Sequence, residues 1–175
     1  MSKPIDDAAA ARHRAKMEKR KAVQDAEVAE KTVEKGLLMV HTGPGKGKST
    51  AAFGLALRML GRGHRVGVVQ FIKGAWHSAE RDTLARFGDQ VEWHSMGEGF
   101  TWETQDLARD IAAAERAWGK ALELMADESF AMVILDELNI ALRYEYLDLS
   151  AVVAALAARR PGLHVVVTAA TPSRS

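Results

Sequence analysis

Cysteine is absent from the 175 residues of this sequence. Its absence excludes disulfide bonds, zinc and iron–sulfur sites built on thiolates, and catalysis by a cysteine nucleophile. No apolar run approaches the roughly 18 residues of a membrane-spanning helix. The charged N-terminus also lacks the apolar segment of a secretion signal. We therefore expect a cytoplasmic protein with no membrane partner.

An excess of charge of one sign is also missing, because 24 Lys and Arg residues nearly balance 23 Asp and Glu residues and leave a formal net charge of +1. Nucleic acids attract proteins with a strong basic field, so we expect no nucleic-acid partner. The six histidines show no metal-ligand spacing such as an i, i+4 pair. The hydrophobic share of 47% is typical of a globular protein.

Two regions of the chain differ in composition. Residues 1–35 are rich in Ala, Lys, Arg and Glu and contain neither glycine nor an aromatic residue, which predicts an N-terminal helical extension. Its narrow alanine stripe fits a solvated helix or a helix that docks on another surface, such as a second subunit. Over residues 36–175, short apolar runs alternate with helical patterns. This rhythm predicts one α/β domain with a mostly parallel sheet flanked by helices.

Within this domain, strands are expected near residues 37–41, 65–72, 91–94, 131–135 and 163–168. Helices are expected near residues 50–60, 79–87, 104–126, 138–146 and 151–159. The longest of these helices is predicted to bury one apolar face, formed by Leu107, Ile111, Ala114, Trp118, Ala121 and Met125.

A glycine-rich motif follows the first strand and opens a helix, which is the setting of a phosphate-binding loop: Thr42-Gly43-Pro44-Gly45-Lys46-Gly47-Lys48-Ser49. Glycines let successive backbone N–H groups face one centre, and the helix N-terminus adds a partial positive charge there. Lys48 would reach phosphate oxygens, and the Ser49 hydroxyl would ligate magnesium. Thr50 continues the ATP-binding segment into the helix. Together with the alternation of strands and helices, the motif predicts a P-loop (RecA-like) fold.

The loop is a variant of the usual pattern. Thr42 stands where the first glycine is expected, while Pro44 and Lys46 stiffen and charge the loop. A glycine-rich turn that binds nothing is the alternative interpretation, but the strand-to-helix setting favours a phosphate site.

Asp136 and Glu137 end an apolar strand, at the edge where open parallel sheets bind their ligands. Either carboxylate could hold magnesium directly or through water, or could instead cap a helix or form an ion pair. With the loop, they predict a magnesium–ATP site with Lys48 and Glu137 as candidate catalytic residues. Such a site could serve a hydrolase, a kinase or another transferase.

Four segments, by their order and spacing, resemble the corrinoid adenosyltransferases of the ATP:cob(I)alamin type over residues 36–168. They are the phosphate loop, Val68-Val69-Gln70-Phe71-Ile72-Lys73-Gly74 continuing to Glu80-Arg81, Gly99-Phe100-Thr101-Trp102, and Leu135-Asp136-Glu137-Leu138-Asn139 continuing to Tyr146. The resemblance implies that Co(I) of a reduced corrinoid attacks the 5′ carbon of ATP and that triphosphate leaves. The loop would then clamp the leaving group.

The resemblance also implies roles for single residues. Ser49 and Glu137 would ligate magnesium, with Asn139 close to the corrinoid. Phe100 and Trp102 would place aromatic rings at the corrin, although a glycine-hinged loop could equally tuck both rings into the core. Three further residues could contact nucleotide or corrinoid, or form a surface ion pair instead: Lys73, Glu80 and Arg81.

For the whole protein, the resemblance implies a homodimer in which the N-terminal helix lies over the partner subunit's active site. An electron-donating flavoprotein or flavodoxin would supply the reduced corrinoid. Family members continue past Val165-Val166-Val167-Thr168 with a Gly-Arg segment and further structure, whereas this sequence ends at Ser175. We therefore expect an incomplete C-terminal end, with exposed apolar surface and consequences for stability, dimerisation and activity. A general P-loop ATPase or kinase, and a non-catalytic ATP- or corrinoid-binding module, are the alternative functions.

Overall fold

The computed structural model describes residues 6–72, 78–95 and 106–170. The chain divides into two compact units, Met1–Glu34 and Lys35–Ser175. The first unit contains helix α1 (Asp7–Ala29), which begins after Asp6; the Asp6 carboxylate accepts a hydrogen bond from the backbone N–H of Ala8 at 3.2 Å. None of the residues of α1 is buried. The predicted N-terminal helix is therefore confirmed.

The second unit contains a five-stranded sheet with the strand order β1-β5-β4-β2-β3. Its strands are β1 (Leu38–Gly43), β2 (Arg65–Gln70), β3 (Val91–Ser95), β4 (Phe130–Asp136) and β5 (His164–Ala170). Every pairing between these strands is parallel. The inner strands are continuous apolar runs because helices cover both faces of the sheet. The structure confirms the predicted α/β class and is consistent with a P-loop fold.

The described helices of this unit are α2 (Lys48–Leu60), α3 (Ala79–Ala85), α4 (Leu107–Ala126), α5 (Leu138–Arg143) and α6 (Leu149–Ala157), with a short 3-10 helix at Gly88–Gln90. One core forms between the sheet and α4, α5 and α6, and includes Val133, Leu135 and Val165. The other forms beneath α2 and α3 and includes Phe53, Ile134 and Val166. Adjacent residues of one strand serve opposite cores because side chains alternate between the faces of a sheet.

The buried face of α4 differs from the predicted one. Leu107, the first residue of the helix, is 63% exposed, whereas Ala113, Ala117 and Leu124 are buried beside the predicted Ala114, Ala121 and Met125. Small side chains dominate the contact because α4 packs closely on the sheet. At Gly67 of β2, an added Cβ would lie 3.0 Å from the Leu124 Cδ1 atom.

Strand β1 lies at one edge of the described sheet. Met39 packs into the core beneath α2, so its neighbours Leu38 and Val40 point to the opposite face, where they are 39% and 55% exposed. The carboxyl ends of all five strands meet at one edge of the sheet, since the strands are parallel. The phosphate loop and the acidic pair therefore lie at the same edge.

Candidate nucleotide and metal site

The phosphate loop joins β1 to α2 through glycines with left-handed backbone. Gly43 has a φ of 127° and Gly47 a φ of 95°, values that L side chains rarely adopt. A Cβ at either position would meet nothing within 4 Å, so backbone conformation rather than space requires glycine. Gly47 is also the N-cap of α2; no side-chain hydrogen bond caps the helix there, and its first turn carries no acidic residue. The backbone N–H groups at the start of α2 therefore favour a bound anion.

The Lys48 side chain folds back over the loop. Its Nζ atom donates a hydrogen bond to the Gly43 carbonyl oxygen at 2.8 Å and another to the Gly45 carbonyl oxygen. Behind the loop, the His41 Nδ1 atom lies 3.2 Å from the Lys48 carbonyl oxygen. This places the ammonium inside the curve of the loop. Ser49 is half-buried in the first turn of α2, while the remaining motif residues with side chains are exposed: Thr42, Pro44, Lys46 and Thr50.

Asp136 ends β4 and is only 2% exposed. Its Oδ1 atom accepts a hydrogen bond from the Thr168 hydroxyl at 2.8 Å, and its Oδ2 atom accepts one from Gln70 Nε2 at 3.2 Å. Both carboxylate oxygens are therefore engaged by neighbouring strands. Glu137 follows with a left-handed backbone, φ 60° and ψ 26°, and serves as the N-cap of α5.

Burial raises the pKa of the Glu137 carboxyl from 4.5 to about 7; the negative charge of Asp136 adds to the rise, and the Lys48 ammonium opposes it. The phosphate loop after β1 and the acidic end of β4 lie at the same edge of the parallel sheet, which is why the Lys48 charge acts on Glu137. A cation bound beside Glu137 would favour its ionised form. The tertiary structure thus brings together Lys48 and Glu137, the two candidate catalytic residues.

Magnesium suits the side chains present at this edge. The Ser49 hydroxyl and the Glu137 carboxylate are hard oxygen donors, and magnesium bound with nucleotides usually takes one or two protein oxygens besides phosphates and water. Within the described ranges, no group of three or more His, Cys, Asp or Glu side chains is placed to hold a metal ion. A metal held partly by phosphate oxygens fits this arrangement.

The other predicted contacts are distributed around this centre. Asn139 is half-buried in the first turn of α5, two residues after Glu137. Glu80 borders a shallow apolar groove of about 380 Å³ that Thr50 also lines, so the structure brings it beside the end of the phosphate loop. Arg81 is half-buried in the first turn of α3, where its backbone N–H donates to the Ser78 hydroxyl at 3.3 Å. Three residues lie outside the described part of the chain: Lys73, Phe100 and Trp102.

Three polar residues at this edge were not predicted as site residues: Gln70, Ser95 and Thr168. Each stands at or near the carboxyl end of a strand, in β2, β3 and β5. That position is the signal that could have revealed them, because polar residues at the ends of parallel strands collect at the ligand-binding edge.

The comparison with protein families identifies the kind of protein that carries this site. The family model described as ATP:corrinoid adenosyltransferase BtuR/CobO/CobP matches residues 34–174. The chain belongs to this family. A second model, described as cob(I)alamin adenosyltransferase N terminal, matches residues 1–28, which include most of α1.

Known members of the adenosyltransferase family are similar to the chain over most of its length. A corrinoid adenosyltransferase of Pseudomonas aeruginosa is 55% identical over 157 residues, covering 90% of this chain and 77% of the relative. One from a Sinorhizobium species is 54% identical, covering 90% and 75%. One from Escherichia coli is 46% identical, covering 90% and 79%. The family resemblance drawn from the four motifs is therefore confirmed.

Among the described helices, none combines the length and hydropathy needed to cross a membrane.

Proposed function

We propose that this adenosyltransferase family member transfers the 5′-deoxyadenosyl group of ATP to the Co(I) centre of a reduced corrinoid and releases triphosphate, in cobalamin biosynthesis or salvage. One observation carries the proposal: the phosphate loop with Lys48 and the acidic strand end with Glu137 lie at the same carboxyl edge of the parallel sheet, in a chain that belongs to this family over residues 34–174.

The chemical step is a substitution at carbon. The cobalt electron pair attacks the 5′ carbon of ATP, a cobalt–carbon bond forms, and the bond from that carbon to the triphosphate oxygen breaks. The bonding electron pair leaves on the triphosphate. No proton changes place, so the reaction needs no general base and depends on orientation and on stabilising the leaving charge.

The phosphate loop is suited to hold that leaving group. On ATP binding, the Lys48 ammonium would exchange the carbonyl oxygens of Gly43 and Gly45 for phosphate oxygens. Lys46 and the first backbone N–H groups of α2 would add positive charge to the same concavity. These interactions strengthen as charge grows on the triphosphate, which is the requirement for lowering the barrier rather than only binding ATP.

Magnesium, when bound, would supply Lewis-acid stabilisation of the triphosphate. Ser49 and Glu137 are the side chains that would hold it. Asp136 would support the site indirectly, because both of its oxygens already accept hydrogen bonds.

The corrinoid would lie beside the nucleotide, with Asn139 at one side and the rings of Phe100 and Trp102 excluding water from the cobalt. Lys73, Glu80 and Arg81 are proposed contacts to nucleotide or corrinoid. We further propose that the protein acts as a homodimer in the cytoplasm and receives Co(I) corrinoid through an electron-donating flavoprotein or flavodoxin.

The test combines the protein with ATP, magnesium and a chemically reduced corrinoid, and measures adenosyl-corrinoid and free triphosphate. We expect both products in equal amounts. ADP or orthophosphate in place of triphosphate would indicate a general ATPase or kinase instead, and binding without turnover would indicate a non-catalytic module. Lys48→Ala should abolish ATP binding. Lys120→Ala is the matched control, because Lys120 pairs with Glu123 at 2.7 Å on α4 and should leave ATP binding unchanged.

A further inference from the structure

A continuous chain of hydrogen bonds crosses four neighbouring strands at the carboxyl edge of the sheet. Trp93 Nε1 donates to the Ser95 hydroxyl oxygen at 3.0 Å, and the Ser95 hydroxyl donates to Gln70 Oε1 at 3.1 Å. Gln70 Nε2 donates to one oxygen of Asp136 at 3.2 Å, and the Thr168 hydroxyl donates to the other at 2.8 Å. The chain thus connects β3, β2, β4 and β5.

The chemistry of the donors fixes the direction of this chain. An indole N–H can only donate, so Trp93 directs the Ser95 hydroxyl hydrogen onward to the Gln70 carbonyl oxygen. The amide of Gln70 is then oriented with its NH₂ group towards Asp136. Both oxygens of Asp136 act as acceptors, which makes this residue a fixed anchor at the end of β4.

Thr168 extends the chain to the next residue of the acidic pair. Its hydroxyl oxygen accepts a hydrogen bond from the backbone N–H of Glu137 at 2.9 Å while its hydrogen goes to Asp136. Thr168 is 1% exposed and Asp136 is 2% exposed, so water does not compete for these bonds. The single hydroxyl therefore bonds both the backbone N–H of Glu137 and the side-chain carboxylate of Asp136.

Glu137 needs such support because its φ of 60° lies in the left-handed region, which is unfavourable for a residue with a side chain. We propose that Thr168 is a positioning residue that holds Glu137 in its metal-binding geometry, with Asp136 as its anchor and Gln70 as the second support of that anchor. The metal-binding part of this inference rests on the proposed function. Partners behind a ligand residue commonly change metal affinity or activity by about 10- to 100-fold when they are removed.

The test measures how magnesium changes the binding of a fluorescent ATP analogue to the intact protein. Thr168→Val keeps the shape of the side chain and removes the hydroxyl. We expect binding in the presence of a chelator to stay within about 2-fold of wild type, because Thr168 lies outside the phosphate loop. The magnesium concentration for half-maximal effect should rise by about 10-fold or more. Thr168→Ser keeps the hydroxyl and should restore the wild-type value to within about 3-fold.

Ser129→Ala is the matched control. Ser129 directly precedes β4 at the opposite edge of the sheet, where its hydroxyl accepts a hydrogen bond from Arg65, and its loss should leave the magnesium response unchanged. An unchanged midpoint in Thr168→Val, or equal effects of the valine and serine variants, would overturn the proposal. A wild-type protein whose nucleotide affinity does not respond to magnesium would overturn it as well.

If circular dichroism shows that Thr168→Val does not fold, Gln70→Met tests the proposed positioning of Glu137 instead. This variant removes both hydrogen bonds of the Gln70 amide, the one to the second oxygen of Asp136 and the one from the Ser95 hydroxyl, but leaves the Thr168 hydroxyl in place. It should raise the magnesium midpoint by about 3- to 10-fold. An unchanged midpoint there would refute the positioning role. Wild-type adenosyl transfer is measured in parallel: failure to form adenosyl-corrinoid would contradict the proposed function, whereas the magnesium titration would still report on Thr168.

Discussion

Replacing Glu137 by glutamine should stabilise the protein above neutral pH while removing the carboxylate proposed to hold magnesium. In the folded protein, burial and the charge of Asp136 raise the pKa of Glu137 from 4.5 to about 7. Below pH 4.5 the group is protonated in both folded and unfolded chains, so the variant and the wild type should have equal stability. Between these pKa values only the unfolded chain ionises, so the wild type loses stability as the pH rises.

The size of the effect follows from the pKa shift. At about 1.4 kcal/mol per pKa unit, a rise from 4.5 to about 7 corresponds to about 3 kcal/mol. The side chain is only partly buried, so solvent screening reduces this to roughly 2 kcal/mol. The free energy of unfolding of Glu137→Gln should therefore exceed that of the wild type by roughly 2 kcal/mol at pH 8, with the difference developing between pH 4.5 and 7.

Urea denaturation of both proteins, followed by circular dichroism between pH 4 and 8, measures the difference directly. Glu115→Gln, at an exposed position of α4, is the control for removing a surface carboxylate. Magnesium–ATP should stabilise the wild type more than Glu137→Gln, since a ligand that binds only the folded state adds to its stability. A stability difference that stays constant across this pH range would refute the electrostatic reasoning.

Four further substitutions test the loop, the close packing and the aromatic segment. Gly47→Ala should lower ATP affinity by roughly 10-fold in a binding titration, because the φ of 95° costs about 1 to 2 kcal/mol with a side chain, although space is free around it. Gly36→Ala should destabilise the protein by about 3 kcal/mol in urea denaturation, since its Cβ would lie 2.1 Å from the Leu163 carbonyl oxygen. Gly119→Ala is the control: it lies at an uncrowded position of α4 and should instead stabilise the protein by up to about 1 kcal/mol. Trp102→Ala should spare ATP binding and slow corrinoid turnover, and an unfolded variant would show that the ring belongs to the core.

Local sequence patterns were sufficient to predict the phosphate loop and the α/β class. A buried strand, a glycine-rich turn and a helix start lie within a few residues of one another, so the backbone geometry that they require can be read directly from the sequence. The same holds for the strand that ends at Asp136 and Glu137, because a continuous apolar run followed by two acids is also a local signal. The buried face of α4 was predicted only in part, since close contact with the sheet selected alanines that periodicity alone does not favour.

The surroundings of Glu137 depended on the tertiary structure. Thr168 and Asp136 are 32 residues apart in the chain, and Gln70 and Asp136 are 66 apart, yet the strand order places their side chains in hydrogen-bond contact. The sequence by itself determined the glycine-rich turn between a strand and a helix, from which we predict a triphosphate site. Only the folded sheet decided which neighbours bury Glu137, raise its pKa and hold its backbone, because hydrogen bonding and desolvation depend on distances in space rather than along the chain.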